Sequence, residues 1–374
     1  MVTLRMLEAK PAAARKGADL FGCAYGPDGA FVLSAGWDGQ LRLWEASTGV
    51  EAGALRAGPK PLACCAASPD GLRWLAGSIE GVLTIHDPVA RTLVASIAAH
   101  TRPVSAICFS PDGDQLATSS WDRQVALRKV GKEREARALN GHKDIVAGCR
   151  FTGDGAQLLS WSYDGTLRLW DAASGREESL LRGHDDRVTA AAPSPDGRWV
   201  VSGGRDGAVH LWDLSSGASV RSLRRPAEIR ACLFLLDGAS AVAVDAAGGV
   251  ALLSTPDLKV LCEVQTGAKP QAADLSPAGA ELALACEDGR VRFLAVDGQE
   301  GSALVVTAVR RTRPAPGVLG LLMGKARTSH TYEYVCPACR RAGESGSLPS
   351  QAFPCPGCRR TLRVSGRVRQ LQEN

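Results

Sequence analysis

Cys336-Pro-Ala-Cys339 and Cys355-Pro-Gly-Cys358 stand fifteen residues apart near the end of a 374-residue chain. Two Cys-x-x-Cys pairs at this spacing suit one metal ion. Each pair bends into a knuckle whose thiolates point the same way, and two knuckles complete a tetrahedral sulfur site. Four protein ligands leave no open position, so the expected ion, one zinc per chain, is structural and not catalytic; a rubredoxin-like iron site would use the same ligands. A second set of residues suggests different chemistry. His142, Ser160 and Asp164 recur as His184, Ser202 and Asp206, the residue types of a hydrolytic triad. Each set also carries a Trp, Trp170 or Trp212, six residues after its Asp. That repetition suits a structural unit and not a single active site.

The elements that must position these residues are legible in Gly183 to Asp213, GHDDRVTAAAPSPDGRWVVSGGRDGAVHLWD. After Gly183-His184 the pattern predicts a short strand, a turn at Ser194-Pro195-Asp196-Gly197 and an apolar strand from Trp199 to Ser202. A second turn follows at Asp206-Gly207, then a strand from Ala208 to Trp212. Pro195 suits the second position of a tight turn, and the Asp-Gly pairs supply the positive backbone dihedrals such turns need. Glu177 to Leu181 reads as the outer strand of the preceding unit, and strands at this spacing argue for antiparallel hairpins. Steps of 42 residues from Asp206 reach Asp164, Asp122, Glu80 and Asp38, and steps of 41 reach Ala247 and Asp288. Seven units therefore fill roughly residues 16–309 of an all-β chain. A period in this range, with Gly-His near the start and Trp-Asp at the end, is the signature of a propeller of four-stranded blades.

On these residues the chain resembles the WD-repeat propellers, over about four fifths of its length. The resemblance implies a buried network in each complete blade. It would link the Trp indole, a Ser or Thr hydroxyl on the second strand, the His imidazole and the turn carboxylate. His142, Ser160, Asp164 and Trp170 would form one network, and His184, Ser202, Asp206 and Trp212 the next. A fully satisfied polar chain stiffens a blade, and losing one member leaves costly unpaired groups. Blade one keeps Ser34, Asp38 and Trp44 but has Lys16 at the His position. Blade two has Glu80 and His86 at the Asp and Trp positions, and blade three keeps His100, Thr118 and Asp122 with Arg128 for Trp. Blades six and seven, with Leu253 and Leu294 at the Trp position, are expected to lack the network. In this family an N-terminal strand often closes the ring as the outer strand of the last blade. Val2 to Leu7 alternates suitably, but Ala303 to Val309 competes for the same place, and both could pair as fourth and fifth strands.

Hydrophobic residues at 45% and charged residues at 22% suit a soluble globular protein. The first twenty residues lack the apolar core of a signal peptide, and no stretch approaches the roughly 18 apolar residues of a membrane span, so a cytoplasmic location without membrane partners is expected. Eight of the twelve cysteines lie in the propeller, and Cys23, Cys65, Cys149 and Cys232 hold one equivalent place on their first strands. They read as reduced apolar filler, with equivalent positions in different blades too far apart to bond.

After Val309 the composition changes. The sequence divides into a propeller over residues 1–309, a linker and apolar docking segment over 310–330, and a zinc-ribbon-like domain over 331–374. Arg310 to Pro316 is the linker and Gly317 to Gly324 the apolar run; strands at Thr331 to Val335 and Thr361 to Val364 would flank the knuckles. So small a unit cannot build a large core, and zinc would supply much of its folding free energy. Residues 310–374 carry twelve Lys and Arg against three Asp and Glu, net +9, which leaves residues 1–309 at −4 in a chain of +5. Arg340, Arg341, Arg359 and Arg360 directly follow the knuckles, as phosphate contacts or as solvated surface.

The residue before the turn Asp lies between the second and third strands, and the resemblance implies that these loops gather on the face where partners commonly bind. Round the ring this position holds Trp37, Ile79, Trp121, Tyr163, Arg205, Ala246 and Glu287. With aromatics at 5% of the chain, two Trp and one Tyr in seven places is an enrichment in the side chains that dominate interfaces. The alternative is that each ring packs over its own turn. The sequence offers no Gly-rich phosphate loop, no open metal site and no nucleophile paired uniquely with a base. The expected function is therefore a non-enzymatic interaction scaffold or adaptor, its propeller face binding a protein partner and its ribbon making a second contact. A nucleic-acid-associated factor acting through residues 310–374 is the alternative.

Overall fold

The computed structural model describes residues 3–6 and 19–297, together with the backbone strands 304–314, 328–335, 342–345, 353–354 and 361–371. Residues 19–297 and the strand Thr3–Met6 form seven four-stranded antiparallel sheets, the blades of a propeller. Blade four is typical: Val146–Phe151, Gln157–Ser162, Thr166–Asp171 and Glu177–Arg182 follow one another from the inner to the outer edge. Its second and third strands are buried almost throughout, because neighbouring blades cover both faces, and their buried polar members Ser160, Ser162, Thr166 and Arg168 are all hydrogen-bonded. Outer strands such as Glu51–Arg56 alternate between half-buried and exposed positions, as strands with one wet face do.

Packing explains the closed ring. Each of seven apolar clusters draws on two adjacent blades. Leu159, Leu167 and Leu169 of blade four, for example, pack with Val188, Val200 and Trp212 of blade five. No blade buries its faces alone, so stability comes from the stacking of neighbours. Every inner strand also carries a register shift against its second strand at one equivalent point, as at Val104/Ala106, Val146/Gly148 and Val188/Ala190. Such bulges re-aim the extra residue. In blades three and five the re-aimed side chains reach the next blade: Ser105 Oγ donates to Val146 O, and Thr189 Oγ1 to Ile229 O.

The ring closes through Thr3–Met6, which pairs antiparallel with Val291–Asp297 in the register Thr3↔Asp297 to Met6↔Leu294. Leu4 enters the cluster shared by blades six and seven. Of the competing segment, Leu304 to Val309 takes no place in that sheet, and Ala303 lies outside the described residues. Leu304–Pro314 pairs parallel with Thr361–Leu371 and antiparallel with Thr328–Val335, in a separate five-stranded sheet. The chain accordingly divides into compact units at Met1–Gln299 and Glu300–Asn374, ten residues before the expected boundary, and Arg310 to Pro314 is strand instead of linker. The apolar run Gly317 to Gly324 lies outside the described residues.

The inner strands of all seven blades line a central channel with a cavity of about 240 Å³. Cys23, Cys65, Cys149 and Cys232 stand on these strands as free thiols. Separation between blades does not hold for every cysteine. Cys108, one residue past the equivalent position in blade three, brings its Sγ to 3.8 Å from Cys149 Sγ. Among the described residues no helix is long and apolar enough to cross a membrane.

Candidate functional site

Blade four holds its network complete. Trp170 Nε1 donates to Ser160 Oγ at 2.8 Å, Ser160 and His142 Nε2 are 2.9 Å apart, and His142 Nδ1 lies 3.0 Å from Asp164 Oδ2. Because a carboxylate only accepts, the proton sits on Nδ1 and Ser160 donates to Nε2, so each donor finds one acceptor. Thr166 Oγ1 and the Lys143 amide also donate to Asp164. Burial would raise the Asp164 carboxyl, but these bonds outweigh it and hold the group well below the usual carboxylate range. Ser160 is fully buried and already bonded on both sides. It is a strut, and the sealed geometry gives the hydrolytic reading no accessible nucleophile there.

Blade five keeps two of the three links of its expected network. Trp212 Nε1 and His184 Nε2 both meet Ser202 Oγ at 2.7 Å. His184 Nδ1 is buried without a partner, and Asp206 instead accepts from Arg224 Nη2 at 3.0 Å. The neighbours explain the difference. Blade four steadies its turn with Ser162, which accepts from the Asp164 amide, and with the Thr166 hydroxyl; blade five has Gly204 and Ala208 at those places. The His210 ring packs edge-on against His184 at 4.3 Å. Burial, with His210 alongside, pulls His184 down to about 4 against the attraction of Asp206.

The other blades hold their turns and strands with different pairings. In blade three, His100 bonds Asp122 at 3.0 Å and Thr118 at 2.8 Å, and Arg128 Nη1 donates to Thr118 Oγ1 at 2.7 Å where Trp170 and Trp212 donate to Ser. Blade one keeps Trp44 on Ser34 at 2.7 Å, and Asp38 accepts from the buried Arg42, with Nη1 at 3.1 Å from Oδ1; Lys16 lies outside the described residues. Blade seven repeats that pairing as Arg292 with Asp288, at 2.7 and 3.0 Å. In blade two His86 turns to Thr84 at 3.0 Å, and Glu80 pairs with the exposed Lys60.

Blade six lacks the Trp, Ser, His and Asp network, as expected, but carries a polar cluster of its own. Arg225 occupies the place of the His, and its Nη2 lies 3.3 Å from Asp245 Oδ2, with Glu263 at 3.0 Å from Nη1. Asp245 is buried and accepts from the Ala247 and Gly249 amides, so it caps the turn that Asp caps elsewhere. The signal was present: one step of 41 from His184 lands on Arg225.

These struts hold the loops between second and third strands. The glycine after the turn carboxylate is required by packing as well as by φ: at Gly207, φ is +79° and an added Cβ would meet Arg225 O at 2.4 Å. All seven residues at this loop position, the five candidate contacts among them, then make one equivalent main-chain bond to the residue eighteen positions earlier. Trp37 donates to Asp19 O, Ile79 to Pro61 O, Trp121 to Pro103 O, Tyr163 to Ile145 O and Arg205 to Arg187 O, and Ala246 and Glu287 follow suit. One face thus presents seven side chains from one framework. Trp37 is 48% exposed and Trp121 46%. Trp37 rests partly on Phe21, with ring centroids 5.4 Å apart, and the half-buried Tyr163 ring carries the Arg187 guanidinium at 4.9 Å. Arg205 is exposed and Ile79 half-buried. A second apolar group, Val89, Leu93 and Val94 at the outer edge of blade two, is strongly exposed and went unmarked by the repeat pattern, which ranks loop positions and not edges.

Cys336, Cys339, Cys355 and Cys358 lie outside the described residues. Among those described, no group of three or more His, Cys, Asp or Glu side chains is disposed to hold a metal ion. Comparison with known proteins finds no matching curated protein. Four segments, residues 13–45, 91–127, 133–171 and 175–213, match the family described as WD domain, G-beta repeat. They end on blades one, three, four and five, where the Ser or Thr strut is retained. The chain carries WD repeats and folds as a seven-bladed propeller.

Proposed function

We propose that this protein is a non-enzymatic scaffold or adaptor whose propeller binds a protein partner through the face bearing Trp37, Ile79, Trp121, Tyr163 and Arg205. One observation carries the reading: two tryptophans, each about half exposed, stand at equivalent loop positions on a framework that already satisfies their backbones. Exposed aromatic rings set in a rigid face cost little ordering entropy on binding and bury much area. WD propellers generally act as protein-interaction scaffolds, which agrees with this use.

The tail would add a second contact. Four thiolates in two Cys-x-x-Cys knuckles make a closed donor set for one structural zinc, held by Cys336, Cys339, Cys355 and Cys358. The net charge of +9 over residues 310–374 supports a second reading, in which the same ribbon binds nucleic acid. A cytoplasmic setting would keep the propeller's free thiols reduced. The test is capture of partners from the native host by the intact chain and by Trp121→Ala, with and without nuclease. Loss of a protein partner in the variant supports the face; nuclease-sensitive capture that ignores the variant supports the ribbon.

A further inference from the structure

We propose that Cys108 and Cys149 are a peroxide-sensitive thiol pair that closes into a disulfide and staples blade three to blade four from inside the ring. Cys108 stands on the inner strand Val104–Phe109 and Cys149 on the inner strand Val146–Phe151, with their Sγ atoms 3.8 Å apart. A disulfide holds its sulfurs at about 2.05 Å, so they must approach by roughly 1.8 Å, a movement that rotation about the two Cα–Cβ bonds can supply. Ser105 Oγ already donates to Val146 O and bonds Ser119 Oγ, which fixes the two inner strands beside each other.

Access comes through the central channel, whose cavity wall includes both sulfur-bearing residues together with Cys23, Cys64, Cys65 and Cys232. A space of about 240 Å³ admits hydrogen peroxide. Cys108 is half-buried and Cys149 buried, so Cys108 meets the oxidant first. The Cys108 thiolate attacks one peroxide oxygen and the O–O bond breaks. The departing hydroxide takes up the thiol proton as water and leaves a sulfenic acid on Cys108. Cys149 sulfur then attacks Cys108 Sγ, the S–O bond breaks, and the hydroxyl leaves with the Cys149 proton as a second water. The two thiols lose two electrons and the peroxide gains them. The hydrogen bond with Cys108, together with burial, keeps the Cys149 thiol well above its ordinary value, so Cys149 enters the second step as the thiol whose proton leaves with the water.

The bond would close a loop spanning 41 positions and constrain the unfolded chain accordingly. Its test uses the full chain: exposure to hydrogen peroxide, alkylation of the remaining thiols, and proteolytic mapping by mass spectrometry. The expected result is a peptide pair cross-linked through Cys108 and Cys149, reversed by dithiothreitol, absent in Cys108→Ser and Cys149→Ser, and retained in Cys23→Ser. The oxidised wild type should also melt several degrees above its reduced form, a rise that Cys149→Ser lacks. Recovery of Cys108 as sulfinic or sulfonic acid without the cross-link would overturn the proposal, as would a bond from Cys108 to Cys64 or full alkylation of both thiols after peroxide. Because each thiol is mapped on its own peptide, the wild-type map decides the question even where a serine variant folds poorly.

Discussion

His142 Nδ1 lies 3.0 Å from Asp164 Oδ2, whereas the equivalent His184 and Asp206 do not meet. Stability should follow that difference. Asp164→Ala removes acceptors from His142, Lys143 and Thr166 and should cost about 2–4 kcal/mol. Asp206→Ala should cost about 1 kcal/mol or less, because its ion pair is with the exposed Arg224. Ala247→Ser, in blade six, should stay within about 0.5 kcal/mol. Urea midpoints measure all three, and equal losses for Asp164→Ala and Ala247→Ser would count against the strut.

Asp245 does two jobs in blade six, and they can be separated. Asp245→Ala loses both the Arg225 charge partner and the caps on the Ala247 and Gly249 amides, and should cost about 2–4 kcal/mol. Asp245→Asn keeps an oxygen for the amides and should cost roughly half as much. If both variants unfold at the same urea concentration, the charge carries the whole effect.

Acid should weaken the fold in a defined window. His184 titrates at about 4 in the folded chain against 6.5 for a free imidazole. The unfolded chain therefore binds a proton between these values that the folded chain refuses. Its contribution is complete above pH 6.5 and is lost as pH falls toward 4, by about 3 kcal/mol. Burial pushes His86, His100 and His210 in the same direction. Asp164, held low, acts in a separate window that opens only below pH 3.8. His184→Gln should flatten the profile of stability between pH 6.5 and 4; parallel profiles for variant and wild type would refute the assignment.

Trp121→Ala should weaken partner binding by about 2 kcal/mol or more while the melting temperature hardly moves, because the backbone bond to Pro103 survives the change. Calorimetric titration at two salt concentrations adds a second criterion. An aromatic-anchored contact responds little to salt, and a nucleic-acid contact weakens steeply.

Metal analysis of freshly purified reduced protein should find one zinc per chain. Cys355→Ser should release it and leave the melting of the propeller unchanged, since unit Met1–Gln299 has its own core. Protein carrying neither zinc nor iron would dismiss the ribbon.

Seven blades, their turns and the equivalence of Asp38, Glu80, Asp122, Asp164, Asp206, Ala247 and Asp288 could be read from the sequence alone. Blade hairpins join strands a few residues apart, so local turn chemistry and a fixed period determine them. The complete strut of blade four was legible for the same reason. Only the tertiary structure decided that Thr3–Met6 closes blade seven while Leu304–Pro314 pairs elsewhere, that Arg225 finds Asp245 and Glu263, and that Cys108 faces Cys149. Two segments of like pattern compete for one sheet edge, and the winner is set by packing across a ring closed between residues 294 positions apart in sequence, Thr3 and Asp297. Likewise, period places His184 and Asp206 as it places His142 and Asp164, but it does not determine side-chain rotamers. The missing hydroxyls at Gly204 and Ala208 and the His210 ring against His184 accompany the different outcome, with Asp206 turned to Arg224 and His184 Nδ1 unpaired.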